Sequence, residues 1–501
     1  MPTTEVIDKL ERPSPTQEIP TKLESCNPLF DSKELHRDLG RKAVRGSGIT
    51  ILAQVARFVL KLGSTAILAR FLTPDDFGLI AMVMVLIAFV EMFKDAGLAM
   101  ATIQREKITH QQISTLFWLN TVVGVGVALI VAAVAPGIAW FYGDYRLVAV
   151  VMVLATSFAF SGVVVQHQAL LRRNMQLGKL AIIDVVGMFV GVVVAVAMAA
   201  QGWGYWALVG WPVATSISSA ITTFLLVDWR PGAPSFKEKV GDMAGFGLSI
   251  AGYQAMNHFA RNTDNIAIGA YWGAASLGYY SKAYGLVLLA WVQVLAPISS
   301  VVQPGLCRLV SKPEEFKRLY RDALAVVGWM SFVVIAITCI HAKLVFRIVM
   351  GPGWDESAYL YMLLAPAAVV MSIRVATTWV YVAYGTVRRQ LNYSVASGLV
   401  LMVGSIIACF FGVYWVAIAV SVIQVAQFIV SIPICFADTD MSWRDAAEPI
   451  LVPLFFVSGV SGVLLLLTTV IDELPLLLIG VTSYSLLCLI VLTPIIKRHL
   501  S

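Results

Sequence analysis

Charge is scarce in this chain: Asp, Glu, Lys and Arg make up 13% of its 501 residues, against 58% hydrophobic. A soluble fold of that length needs a polar surface these residues cannot supply. Cysteine is sparse too. Cys26, Cys307, Cys339, Cys409, Cys435 and Cys488 show no paired spacing, so neither a disulfide framework nor a metal site is expected. A Gly-rich phosphate loop, a His-Glu metal pair and a long soluble segment for a catalytic domain are all missing. Asp438-Thr439-Asp440 spells a metal-binding DxD, but no nucleotide-binding domain surrounds it. The expectation is a protein that is no enzyme and takes no cofactor.

Long apolar runs are what the chain does have. They recur from Ile49 to Ile496, each near the roughly 20 residues needed to cross a bilayer core. The reading gives fourteen transmembrane helices, at 46–72, 77–94, 114–142, 146–167, 180–200, 205–227, 244–271, 277–302, 323–349, 358–384, 393–411, 415–436, 449–471 and 475–496. Residues 1 to about 36 are polar and lack the apolar core of a secretory signal, and a disordered tail is expected there.

Loop charge tests that count, because cytoplasmic loops are enriched in Lys and Arg. One set of loops holds Arg41 with Arg45, Arg105 with Lys107, Arg172 with Arg173, Lys237 with Lys239, Lys312 with Lys317, Arg388 with Arg389, Arg444, and Lys497 with Arg498. The alternate set is short and acidic or neutral: Asp75 and Asp76, Asp144 with a single Arg146, Gly202 to Gly204, Gly273 to Ser276, Asp355 and Glu356, Asp472 and Glu473. Both termini are therefore expected in the cytoplasm. The net charge of +6 is an orientation signal, and no nucleic-acid partner is implied.

Two helices carry the same polar stripe 200 residues apart: Gln54, Arg57, Lys61 and Ser64, then Gln254, Asn257, Arg261 and Asp264. Spacings of three and four keep each set on one helical face. A charge in hydrocarbon costs about 2.5 to 3.5 kcal/mol even on lenient scales, so such a face looks onto a polar path or a partner. The offset persists from Leu68-Ala69-Arg70 with Phe77-Gly78-Leu79 to Ile268-Gly269-Ala270 with Leu277-Gly278-Tyr279. Gly204-Tyr205-Trp206 and Val413-Tyr414-Trp415 form a further echo. Six spans separate the two units, so they enter the membrane in the same direction. The expected all-α architecture is two pseudo-symmetric six-helix bundles around a central cavity, plus two C-terminal helices. Its parts are a cytoplasmic tail (1–44), a first bundle (45–228), a cytoplasmic linker (229–242), a second bundle (243–437) and two added spans (438–501).

Leu68-Ala69-Arg70, Pro74, Phe77-Gly78-Leu79, Asp95, Gly97-Leu98 and Ile103-Gln104 resemble the opening pattern of the polysaccharide transporter family. That family belongs to the multidrug/oligosaccharidyl-lipid/polysaccharide exporter superfamily. Thr263-Asp264-Asn265, Leu277-Gly278-Tyr279-Tyr280-Ser281, Gly202 to Val209 and Gly351 to Trp354 are similar to its later motifs. The resemblance covers essentially everything after residue 40. It implies a flippase of the bacterial inner membrane. Such a protein moves an undecaprenyl-pyrophosphate-linked oligosaccharide from the cytoplasmic to the periplasmic leaflet, for exopolysaccharide, capsule or O-antigen (lipopolysaccharide) assembly. Its partners would be the lipid-linked oligosaccharide, the bilayer and a polysaccharide polymerase.

The residues suit that job. A pyrophosphate needs cations, and Arg57, Lys61, Arg261 and Arg374 are the candidates, Arg offering a bidentate fork and Lys a point charge. Gln54, Gln254, Asn257 and Tyr253 are candidates for sugar hydroxyls. Asp184, Asp264, Glu91 and Asp95 are candidates for a coupling-ion site. Each has a plainer alternative. Arg261 and Asp264 would neutralise each other, Lys94 would pair with Glu91 or Asp95, Asp184 would be a helix-end residue, and Arg57 or Arg374 would serve contacts between helices. His167 and His258 read as hydrogen-bonded structural residues, Arg70 as an interface anchor, and Trp118, Trp140, Trp354 and Trp443 as an interfacial belt. A drug or metabolite antiporter of the same superfamily is the main competing reading; it calls for fewer cations and an acidic site. A membrane-embedded polymerase or glycosyltransferase lacks any recognisable catalytic motif.

Overall fold

The computed structural model describes residues 39–94, 102–103, 108–234, 241–467, 475, 479–484 and 493, without the side chains of 39–47, 92–94, 241–257, 260 and 289–297. No strand occurs among the described residues. The helices are α1 (Leu39–Phe71), α2 (Pro74–Lys94), α3 (His110–Tyr142), α4 (Arg146–Arg173), α5 (Leu177–Ala200), α6 (Trp206–Leu226), α7 (Gly241–Arg308), α8 (Pro313–Ile340), α9 (Ala342–Met350), α10 (Asp355–Ile373), α11 (Val375–Ala383), α12 (Val387–Cys409), α13 (Val413–Phe436) and α14 (Trp443–Leu467). Ten stretches are long and apolar enough to cross a bilayer among the described residues. Large apolar side chains stand exposed around the perimeter, Leu52, Leu129, Leu225 and Phe455 among them, as lipid-facing positions require. The expected fourteenth span lies largely outside the described residues.

Several boundaries differ from expectation, among them the start of the ninth span, at Pro313 and not 323. Helix α1 starts at Leu39, inside the stretch assigned to the tail. The ninth expected span breaks at His341, and the tenth is interrupted at Arg374, between α10 and α11. Periodicity does not reveal such breaks, because the apolar pattern continues through them.

The repeat makes one turn by two local devices. In the first half, Pro74 opens α2, and Asp76 accepts from the Thr73 backbone N–H and hydroxyl, both at 2.8 Å. In the second half the equivalent break falls inside α7, at Gly273, whose φ of 77° is open to glycine and strained for other residues.

The positions that follow each break bring the halves together. Gly78 of α2 lies against Gly278 of α7: a Cβ on Gly278 would stand 1.9 Å from the Pro74 carbonyl oxygen, and one on Gly78 1.7 Å from that of Ala274. Small residues permit this backbone approach, as is common where helices pack in membranes. Around the crossing a single apolar core includes Leu68, Phe77 and Leu79 from the first half and Ile268, Leu277 and Tyr280 from the second. Near the basic loops the cores are separate. Ile113, Leu170 and Trp229 belong to one, and Phe316, Trp379 and Phe436 to another. The two groups of helices are thus joined at the acidic-loop end and hold independent cores at the basic-loop end.

Ion pairs and carbonyl caps tie each group internally. At the acidic-loop end Arg146 bridges Asp144 at 2.7 Å and Asp75 at 2.8 Å, and its hydrogen bond holds the Asp144 carboxyl below the usual carboxylate range. At the basic-loop end Lys179 Nζ donates to the Leu226 carbonyl at the close of α6, and Arg321 pairs with Asp445 at 2.5 Å.

Two outcomes follow. Gly278→Ala should destabilise the protein by about 1–3 kcal/mol, whereas Gly285→Ala on the same helix, where a Cβ meets open space, should not; thermal unfolding in detergent compares them. A carboxyl whose pKa is depressed by folding contributes stability above its unfolded value, about 3.9, and loses it as pH falls through the folded value. Asp144→Asn should therefore lower Tm at pH 7 and narrow its difference from the parent as the pH falls below about 4.

Candidate functional site

One cavity, of about 620 Å³, lies between the two groups of helices. The first half contributes Gln54, Arg57 and Lys61 from one face of α1, with Met188 of α5. The second half contributes Ser281, Lys282 and Gly285 from α7 and Val349 and Met350 from α9. Three members of the four-residue stripe thus line this cavity, as their spacing predicts, while Ser64 is buried and Phe58, Leu62, Leu286 and Leu288 make much of the wall apolar. Arg57 donates to Asp184 at 2.9 Å and to Gln54 Oε1 at 2.6 Å. Lys61 is exposed to the cavity and forms no ion pair among the described residues.

Lys282 was not legible as a site residue. Its ammonium sits 3.7 Å from the centroid of the Phe77 ring, across the junction between the halves. A desolvated contact of this kind is worth about 2 kcal/mol or more. The available signal was spacing: Lys282 is four residues beyond Gly278 and so shares the helical face turned toward α2. Its repeat equivalent is Met82, buried in the core, so comparison of the halves conceals it.

Arg261 and Arg374 line a second cavity of about 270 Å³ within the second half, with Tyr284, Tyr393, Gln424 and Gln427. Arg374 sits at the joint of α10 and α11 and donates to Gln424 Oε1 at 3.1 Å. The four sequence-derived cations are thus divided between two cavities, two in each. A sequence stripe fixes which residues share a face of α7, but not which neighbours that face meets.

The remaining candidates fall as follows. Asp184 is the partner of Arg57 and no simple helix-end residue. Asp264 is buried and accepts from the Tyr280 hydroxyl at 2.7 Å and the Asn265 backbone N–H at 2.9 Å; it forms no ion pair with Arg261 among the described residues. Glu91 is exposed on α2. Asp95, and the side chains of Tyr253, Gln254 and Asn257, lie outside the described residues. His258 has its Nε2 2.8 Å from the Val85 carbonyl, and His167 packs among Phe117, Phe224 and Trp229. Trp118, Trp140 and Trp443 are exposed, as belt residues are. Trp354 is not: it is 2% exposed, donates to the Ala69 carbonyl at 3.2 Å and meets Phe77 edge-on at 5.5 Å. Arg70 likewise reaches across the junction, donating to the Ile348 carbonyl at 2.9 Å. No cluster of three or more potential metal ligands gathers among the described residues.

The signature of a family described as polysaccharide biosynthesis protein matches residues 67–359. The lipopolysaccharide biosynthesis protein WzxC of Escherichia coli (strain K12) is 23% identical over 346 residues, 67% of this chain and 68% of that protein. The teichuronic acid biosynthesis protein TuaB of Bacillus subtilis (strain 168) is 23% identical over 377 residues, 73% of this chain and 75% of that protein. Among solved structures, the lipid II flippase MurJ in an inward closed conformation shares the fold, with a TM-score of 0.71 at 14% identity over 90% of this chain and 99% of that one. The family signature spans more than half of the chain, and the helices long and apolar enough to cross a membrane agree with it: this protein belongs to the polysaccharide biosynthesis protein family.

Proposed function

We propose that the protein is a flippase that carries an undecaprenyl-pyrophosphate-linked oligosaccharide repeat unit across the bacterial inner membrane by alternating access. The basic loops and both termini face the cytoplasm in this reading, so the junction at Gly78 and Gly278 closes the periplasmic side. The carrying observation is the cavity between the halves, where Arg57, Lys61 and Lys282 converge. A diphosphate supplies the negative charge that Lys61 lacks among the described residues, and the polyprenyl tail remains in lipid between the bundles. Charge-assisted hydrogen bonds of this type are among the strongest available to a phosphate.

Arg261 and Arg374, with their ring of Gln and Tyr side chains, form a second polar station for the saccharide head group. Asp264 is the carboxylate best placed to couple an ion, being buried and held by a neutral hydroxyl instead of a cation. Two relatives bear on the product: WzxC is named for lipopolysaccharide biosynthesis and TuaB for teichuronic acid biosynthesis. A polysaccharide polymerase would receive the translocated unit.

Lys61→Ala and Arg261→Ala should each reduce polymer export about tenfold or more, the loss expected when a charged hydrogen bond is removed, with protein levels unchanged. Mass spectrometry should find lipid-linked oligosaccharide accumulating on the cytoplasmic leaflet. Normal export by both variants would overturn the assignment of the site.

A further inference from the structure

We infer that Lys282 couples substrate charge to opening of the junction, acting as a tie between the two halves that an anionic ligand releases. This rests on the flippase reading above. The geometry is specific. Lys282 belongs to the second half and Phe77 to the first, and the ammonium stands 3.7 Å from the ring centroid. Phe77 is the residue beside Gly78 and packs edge-on against Trp354, which in turn donates to the Ala69 carbonyl. The contact is therefore part of the seal itself.

Lys282 also lines the cavity that holds Arg57 and Lys61, and it forms no ion pair among the described residues. A ring face is a weaker partner for an ammonium than a phosphate oxygen, because the phosphate carries full negative charge and accepts hydrogen bonds. A diphosphate entering the cavity competes for the ammonium and draws it from the ring. The sealed state then loses one contact across its junction, and the open state, in which the ring contact is already absent, binds the anion without that loss. This difference in affinity is what a ligand needs in order to shift a conformational equilibrium. The asymmetry of the repeat fits a device on one side only: the position equivalent to Lys282 is Met82, buried at 2% exposure.

The test is a distance measurement between the halves. Spin labels at Gln201→Cys and Phe411→Cys, both exposed near acidic-side loops, are introduced after the native cysteines are replaced. Distances are read by pulsed electron resonance with and without undecaprenyl pyrophosphate. In the parent the ligand should shift the population toward the longer separation. Lys282→Met and, independently, Phe77→Leu should lower the sealed-to-open ratio without ligand about tenfold and abolish most of the ligand response, while Lys282→Arg should preserve both. If Lys282→Met and Phe77→Leu both match the parent in sealed fraction and ligand response, the coupling is wrong. Binding of undecaprenyl pyrophosphate to the parent is measured separately. Absence of binding overturns the flippase reading and the coupling with it, whereas binding with an unaltered Lys282→Met response overturns the coupling alone.

Discussion

A cation held between membrane helices must be stabilised by something electron-rich, and the arrangement of this protein's interior follows from what each cation has found. Arg57 has a carboxylate in Asp184, Arg374 an amide oxygen in Gln424, and Lys282 an aromatic face in Phe77. Lys61 has no ion-pair partner among the described residues. Arg261, in the second cavity, likewise has no ion-pair partner among the described residues, so both cavities hold a cation without a carboxylate. An interior built only for stability would replace such groups with apolar side chains. We propose that their retention beside one cavity makes it a receptor for negative charge.

In the proposed reading the same cavity is closed at one end by a close backbone approach between the halves. Gly78 and Gly278 stand 200 residues apart in matching motifs, and their backbones approach each other closely. Around it the halves differ in ways that matter: Thr73-Pro74 against Gly273-Ala274 at the turn, Phe77 against Leu277 in the seal, Met82 against Lys282 beside it, and Lys61 against Arg261 on the stripes. Shared positions build the joint, and the substitutions between them supply an aromatic ring on one side and the charge that meets it on the other. A junction of this kind separates more readily than two fused cores, because the basic-loop ends already pack independently.

Much of this was written in local pattern. The all-α membrane class, the break near Gly273 and the inward stripe of Gln54, Arg57 and Lys61 follow from hydropathy and helical spacing, which depend on near neighbours. What escaped depends on distant ones. The pairing of Arg57 with Asp184 joins residues 127 apart, and the burial of Trp354 comes from a carbonyl 285 positions away. Lys282 was hidden because its repeat partner is apolar. Arg261 was expected on the central cavity, but its neighbours, Tyr284 and Arg374, line a second cavity that no spacing rule locates.

The most direct measurement is a cryo-electron-microscopy structure of the protein with a lipid-linked oligosaccharide bound. Diphosphate density in contact with Arg57, Lys61 and Lys282, with the Lys282 ammonium displaced from the Phe77 ring, is the expected result. Diphosphate density outside the cavity between the halves, with Lys282 still on Phe77, would contradict it.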